Sequence, residues 1–148
     1  MARSKKITQK EKVSDREVRQ NENPDYYKNQ CPTWAFRKAD VGGNWIVDDV
    51  AVNEILSDLK QFETMTWDDI LNKSNNNHHS VSIADMNKCA RQRAEILKIF
   101  DEQMISLRLA GTKRIYGLLY NSALQIVWYD KYHGDNDTCV FRSNKKHT

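Results

Sequence analysis

The last third of the chain changes its apolar period from that of a helix to that of a strand. Ile105, Leu107 and Leu109 fall on one side of the segment, with Ser106 and Arg108 on the other. Alternation of this kind marks a half-buried β-strand. Ala110-Gly111-Thr112 turns the chain, Arg114 to Tyr120 returns as a second strand, and Asn121-Ser122 turns it again. Leu124 to Tyr129 is an almost fully apolar run, as expected of a central strand covered on at least one face. Thr138 to Arg142 is a candidate fourth strand at the edge. Short turns make such strands antiparallel neighbours, so Met104 to Phe141 is read as a β-meander.

The segment before the meander must supply what covers it. After Pro32, Thr33 to Lys38 alternates like a strand, Gly42-Gly43 signals a turn, and Asn44 to Val47 suits a second short strand. Asp48 and Asp49 offer a helix N-cap, and Val52, Ile55, Leu56, Leu59 and Phe62 then trace one face of an amphipathic helix. Thr66 with Asp69 resembles a capping box opening a short helix over Trp67 to Leu71. Asn72 to Ser80 reads as a loop, after which Ser82 caps a further helix. One stripe of that helix holds Ile83, Met86, Cys89, Ala90, Arg93, Leu97 and Phe100, all apolar except Arg93. The expected fold is therefore α+β and two-layer: an antiparallel sheet of 3–5 strands packed against 2–3 helices.

Residues 1–29 hold almost no core material, with Ile7 and Val13 isolated among polar side chains, and read as a flexible basic N-terminal arm. Residues 30–142 read as a single α+β domain and 143–148 as a frayed tail. No apolar stretch approaches the roughly 20 residues of a membrane helix, and the N-terminus lacks the apolar run of a secretory signal. These features predict a cytoplasmic protein with no membrane partner. The three cysteines, Cys31, Cys89 and Cys139, have neither metal nor redox spacing. Cys89 and Cys139 suit small buried hydrophobes, and Cys31 a domain edge.

The formal net charge of +3 conceals a polarity along the chain. Residues 1–30 carry 8 basic and 5 acidic side chains, residues 31–107 carry 8 and 12, and residues 108–148 carry 7 and 3. The helical middle is acidic and the sheet end basic, which suits either a phosphate-bearing partner or an ordinary solvated face.

Candidate chemistry gathers where the most apolar strand ends, in Trp128-Tyr129-Asp130-Lys131-Tyr132-His133-Gly134-Asp135. His133 can serve as acid or base, since an unperturbed imidazole titrates at about 6.5. Lys131 and Arg114 can hold a phosphate, Arg114 in planar bidentate fashion, and Tyr132 can stack on a base or donate a proton. The plain alternative is a polar turn followed by an exposed strand residue. His78-His79 are adjacent, point in different directions, and lack a definite third ligand. No P-loop, dinucleotide-binding glycine pattern, zinc finger or nucleophile elbow occurs.

The order strand–helix–helix–strand–strand–strand resembles the RelE/ParE-like toxin superfamily. The hairpin Arg114-Ile115-Tyr116-Gly117 with Ala123-Leu124-Gln125-Ile126-Val127-Trp128 looks like that of the YoeB-like branch. There an Arg opens one strand and a His closes the last, the relation in which Arg114 and His133 stand. The resemblance implies ribosome-associated, metal-independent RNA cleavage by attack of a 2′-hydroxyl on the adjacent phosphate. It assigns Arg114 to the pentacovalent phosphate, His133 to acid–base work, and Tyr132 to stacking or proton donation. Lys113, Lys131 and Arg108 would be RNA-binding, and Glu95 or Glu102 would stand for the branch's acidic base. No metal or organic cofactor is called for, and partners would be RNA or ribosome and an antitoxin.

A different class of function fits the same chain. Four tryptophans, Trp34, Trp45, Trp67 and Trp128, and the polar arm suit a non-enzymatic protein-interaction module, such as an antitoxin, immunity or phage accessory protein.

Overall fold

The protein's structure, a computed structural model, describes residues 26–73, 78–134 and 139–141. The expected arm over 1–29 lies outside them except for residues 26–29, as does the tail over 143–148. The meander forms as its period predicts: β3 is Gln103–Arg108, β4 is Arg114–Tyr120 and β5 is Ala123–Asp130. Both ladders of this meander are antiparallel. β1, Thr33–Ala35, pairs in parallel with β5. β2, His79–Ser82, pairs antiparallel with β3. The five-stranded order is β1-β5-β4-β3-β2, so β5 and β4 lie inside the sheet as the apolar run required.

Helix α1, Asp49–Phe62, begins where a side chain can satisfy its first amides: Asp48 Oδ1 accepts from Ala51 N–H at 3.0 Å. It buries Ala51, Ile55, Leu59 and Phe62. The capping box is real and reciprocal, since Asp69 N–H donates to Thr66 Oγ1 at 3.1 Å and Thr66 N–H to Asp69 Oδ2 at 3.2 Å. α2 is shorter than its stripe suggested, Lys88–Ile96. Ser82 ends β2 and leads into a single 3₁₀ turn, Ile83–Asp85. β2 also occupies residues read as loop, and its place between the helices interrupts the expected strand–helix–helix order. Asn44 to Val47 forms bends rather than a strand, because its backbone is committed elsewhere: Val47 N–H donates to Asp40 and Trp45 C=O accepts from Tyr129. Residues 139–141, within the expected fourth strand, are irregular.

The α+β class holds, but the helices do not share one face as a two-layer packing would have them. Two separate cores flank the sheet. α1 and Trp67, Ile70, Ile105, Leu107, Ile115, Leu124 and Ile126 make the first. Ala90 and Ala94 of α2 join Trp45, Met104, Tyr116, Leu118, Val127 and Trp128 in the second. The alternation that serves both faces is adjusted once. Tyr116 pairs with Trp128 but Gly117 with Ile126, so Val127 is an extra residue in β5. This β-bulge puts Val127 and Trp128 on the same side and shifts the facing of all that follows. Gly117 permits the close approach beside it, since a Cβ there would lie 2.6 Å from Gln125 O.

One buried carboxylate joins the two halves of the second core. Asp40 is 1% exposed and accepts four hydrogen bonds. Two come from Arg93, Nε at 2.9 Å and Nη2 at 2.8 Å, one from Trp128 Nε1 at 2.9 Å and one from Gly42 N–H at 3.0 Å. Its own N–H donates to the bulged Val127 carbonyl at 2.9 Å. Burial alone would raise this carboxyl, but the hydrogen bonds from Arg93, Gly42 and Trp128 overcome it and hold the group at about 2. Gly43 is part of the design: a Cβ there would lie 2.8 Å from both Arg93 Nε and Asp40 Oδ2. The lone charge on the α2 stripe is thus explained. Among the described residues no helix is long and apolar enough to cross a membrane.

Asp40→Ala strands a guanidinium and a buried indole N–H, so it is expected to destabilise the fold by about 3–5 kcal/mol in urea titrations. A loss below about 1 kcal/mol would show that the carboxylate is dispensable.

Candidate functional site

β3, β4 and β5 carry polar residues on the α2 side of the sheet, where β3 and β5 end and β4 begins. Facing follows from alternation. Met104 of β3 and Tyr116 and Leu118 of β4 lie in the second core, so Arg108 and Arg114 stand on that same side. The register sets Arg108 opposite Arg114, and Arg114 opposite Asp130. One row further in stand Ser106, Tyr116 and Trp128.

The turn after β5 brings His133 over this row. His133 N–H donates to Thr112 C=O at 3.0 Å, and Thr112 Oγ1 donates to Lys131 C=O at 2.6 Å. The turn is therefore sewn to the β3–β4 connection. Asp130 is 1% exposed and shapes it from within. Its Oδ1 accepts from Tyr132 N–H at 2.9 Å, and its Oδ2 from Val140 N–H at 2.8 Å. His133 Nδ1 lies 3.3 Å from the Tyr116 hydroxyl, and its ring stacks on Phe141 at a centroid distance of 6.5 Å.

Tyr116 is fully buried, and burial followed by the charge of Asp130 pushes its hydroxyl well above the usual phenol range. It stays protonated at neutral pH and presents a hydroxyl dipole to His133. Arg114 is oriented by Nη1 hydrogen bonds to Gly111 C=O at 2.9 Å and Lys113 C=O at 3.1 Å. Burial lowers its proton affinity, the Tyr116 group raises it, and Arg108 lowers it again.

The structure sorts the residues singled out in the sequence into three places. Arg114, Arg108 and His133 share this face, with Lys113 exposed on the adjoining turn. Lys131 and Tyr132 lie elsewhere. They line a groove of about 590 Å³ with Trp45, Ile46, Val50 and Glu54. There Lys131 Nζ lies 3.4 Å from Glu54 Oε2 and 5.8 Å from the Tyr129 ring centroid, and Tyr129 Oη donates to Glu54 Oε1 at 3.0 Å. Glu95 and Glu102 line a third region, a cavity beside the exposed Phe100. Tyr116 was missed because a tyrosine inside an apolar strand reads as core; only its register against Ser106 and its contact with His133 reveal a polar role.

His78 and His79 part company as their adjacency required. His79 is exposed at the start of β2. His78 is buried, meets Phe62 edge to face at 5.2 Å, and accepts the Arg108 N–H at Nδ1 at 3.0 Å. Among the described residues no group of three His, Cys, Asp or Glu side chains could hold a metal. The cysteines are free: Cys31 exposed, Cys89 half-buried and Cys139 buried. No family model, curated protein or solved structure matches this chain.

Burial, then the charges of Arg114 and Arg108, lower the His78 imidazole from 6.5 to about 4. The folded state binds this proton less tightly than the unfolded chain, so stability falls as pH drops from about 6.5 towards about 4. At about 1.4 kcal/mol per unit, the loss is on the order of 3 kcal/mol. Asp40 has the opposite window: its contribution is present above 3.8 and is lost as pH falls through about 2. The two losses follow one another on acidification. His78→Asn keeps an acceptor for Arg108 N–H but removes the proton site, so its urea midpoint should stay level between pH 7 and 4.5, where the wild type declines. Equal decline in both proteins would reject His78 as the source.

Proposed function

We propose that the protein binds RNA on the Arg108–Arg114–His133 end of the sheet and cleaves it there, as a toxin-like endoribonuclease. The observation that carries this reading is the Tyr116 hydroxyl. It sits 3.3 Å from His133 Nδ1 on the strand that Arg114 opens, so an arginine and an imidazole meet around one buried hydroxyl. Arg114 provides a planar donor pair for a phosphate and neutralises charge as it builds on phosphorus. His133 exchanges the proton, and Tyr116 fixes its ring orientation through Nδ1.

In the proposed reaction a 2′-oxygen forms a bond to the adjacent phosphorus as the bond to the 5′-oxygen breaks. The 2′-hydroxyl proton passes to a base, and the departing 5′-oxygen takes one from an acid. The products are a 2′,3′-cyclic phosphate and a 5′-hydroxyl. Lys113, exposed on the turn beside Arg114, adds charge for a flanking phosphate. Lys131 and Tyr132, across the turn with Glu54, serve the groove rather than this step. With the ribosome supplied, Arg114→Ala should lose RNA binding and cleavage together. His133→Ala should keep binding while cleavage falls about 10²–10⁴-fold, the span of a positioned acid or base. Cleavage unchanged in His133→Ala sinks the catalytic reading.

The groove favours a second reading, a protein-interaction module for an antitoxin-like or other protein partner. Ile46, Val50 and Tyr132 on its walls are 38%, 66% and 55% exposed. Exposed apolar side chains gathered around a concavity mark contact surfaces more often than isolated ones do. Under this reading Val50→Lys abolishes co-purification of a partner while leaving RNA cleavage intact. Retention of the partner in that variant would count against it.

A further inference from the structure

The pairing of Arg108 with Arg114 is costly by itself. Directly opposed side chains of an antiparallel pair lie about 5 Å apart at Cβ, where like charges repel. Among the described residues the Arg108 guanidinium has no hydrogen bond or ion pair. The acid across from Arg114 is Asp130, whose two oxygens are already engaged by the amides of Tyr132 and Val140. His79 lies on the same face, one row further in. It pairs with Ser106, and since Val81 of the same strand lies in the second core, alternation puts His79 on the same side. From β4 outward to the edge strand β2 the face thus offers Arg114 and Arg108 in one row, with His79 diagonal to Arg108 in the next. Arg108 is half-buried and His79 exposed, so both are open to a ligand.

We infer that Arg108, Arg114 and His79 form a second phosphate subsite, so that RNA crosses the strands from β4 towards β2 and engages two consecutive phosphates. This rests on the reading of the face as an RNA site and adds a direction and a minimum length to it. One phosphate sits at Arg114 beside Tyr116 and His133. The next lies between the opposed guanidiniums, where an anion turns their repulsion into a bidentate clamp. A single phosphate cannot serve both positions.

The experiment uses the full chain and 2′-O-methyl oligonucleotides, which lack the attacking hydroxyl and stay intact. A trinucleotide with two phosphodiesters should bind about tenfold more tightly than a dinucleotide with one. Arg108→Gln should erase that gain, weakening the trinucleotide about tenfold more than the dinucleotide, and reduce the slope of log K against log salt for the trinucleotide by about 0.7, the single-strand value for one contact. The same variant should melt at the same or a higher temperature at low salt, because it removes a like charge. Equal affinity for both lengths, or an equal loss for both in Arg108→Gln, overturns the second subsite while the RNA reading stands. Failure of every oligonucleotide to bind overturns both.

Discussion

The Asp40 carboxylate holds together parts of the chain that have no other reason to meet. It receives Arg93 from α2, Trp128 from β5 and the Gly42 amide from its own loop, while its backbone bonds to Val127 and Val47. A buried ion pair seldom adds net stability over an apolar replacement, but breaking one leaves an uncompensated charge. Its consequence here is positional. α2 is fixed over the part of the sheet where Trp128 and Trp45 lie, their rings 5.0 Å apart.

The β5 bulge works with that anchor. An apolar run in regular register, continued from Leu124 and Ile126, would put Val127 on the α2 side and Trp128 on the α1 side. Inserting Val127 as an extra residue keeps both on the α2 side and frees the Val127 carbonyl for Asp40. It also sets Tyr129 in the first core and Asp130 opposite Arg114. Asp130 can then fold the next turn back so that His133 reaches Tyr116. The position of the imidazole in the proposed centre therefore traces to a single inserted residue six positions upstream.

What could be read from the chain followed the strength of local signals. Period two and tight turns located β3, β4 and β5, and the spacing of Val52, Ile55, Leu59 and Phe62 located α1. The Thr66–Asp69 box formed as its residue types allow. β2 escaped because His79-Ser80-Val81-Ser82 buries only Val81, so a short edge strand looks like the polar loop before it. Arg93 stood out as a charge on an apolar stripe, but its partner lies 53 positions away, beyond any local pattern. The split of the helices between two faces was hidden for a related reason. Nearly every position of β5 is apolar, which is compatible with cover on one side or both. At the site, Arg114 and His133 were recognisable by type and place. Lys131, similar in type and place, lies apart from them, because the direction of a residue in an irregular turn depends on contacts such as that with Glu54.

Two arginines in this protein illustrate how burial decides what a cation does. Arg93 meets a carboxylate held at about 2 and spends its fork on it, so it is a structural group. Arg108 stands near another guanidinium and a neutral imidazole, and among the described residues no acid forms an ion pair with it. His78 is kept neutral there partly by the two arginines, and this spares the cluster a further positive charge at neutral pH. The fold thus suppresses the one charge it can suppress and retains the two it cannot, since guanidinium does not deprotonate. Retained repulsion between directly opposed arginines is more economically explained by an anion that fills the space between them than by packing. That is also why the basic end of the sheet, and not the acidic helical side, is where the proposed RNA strand is placed.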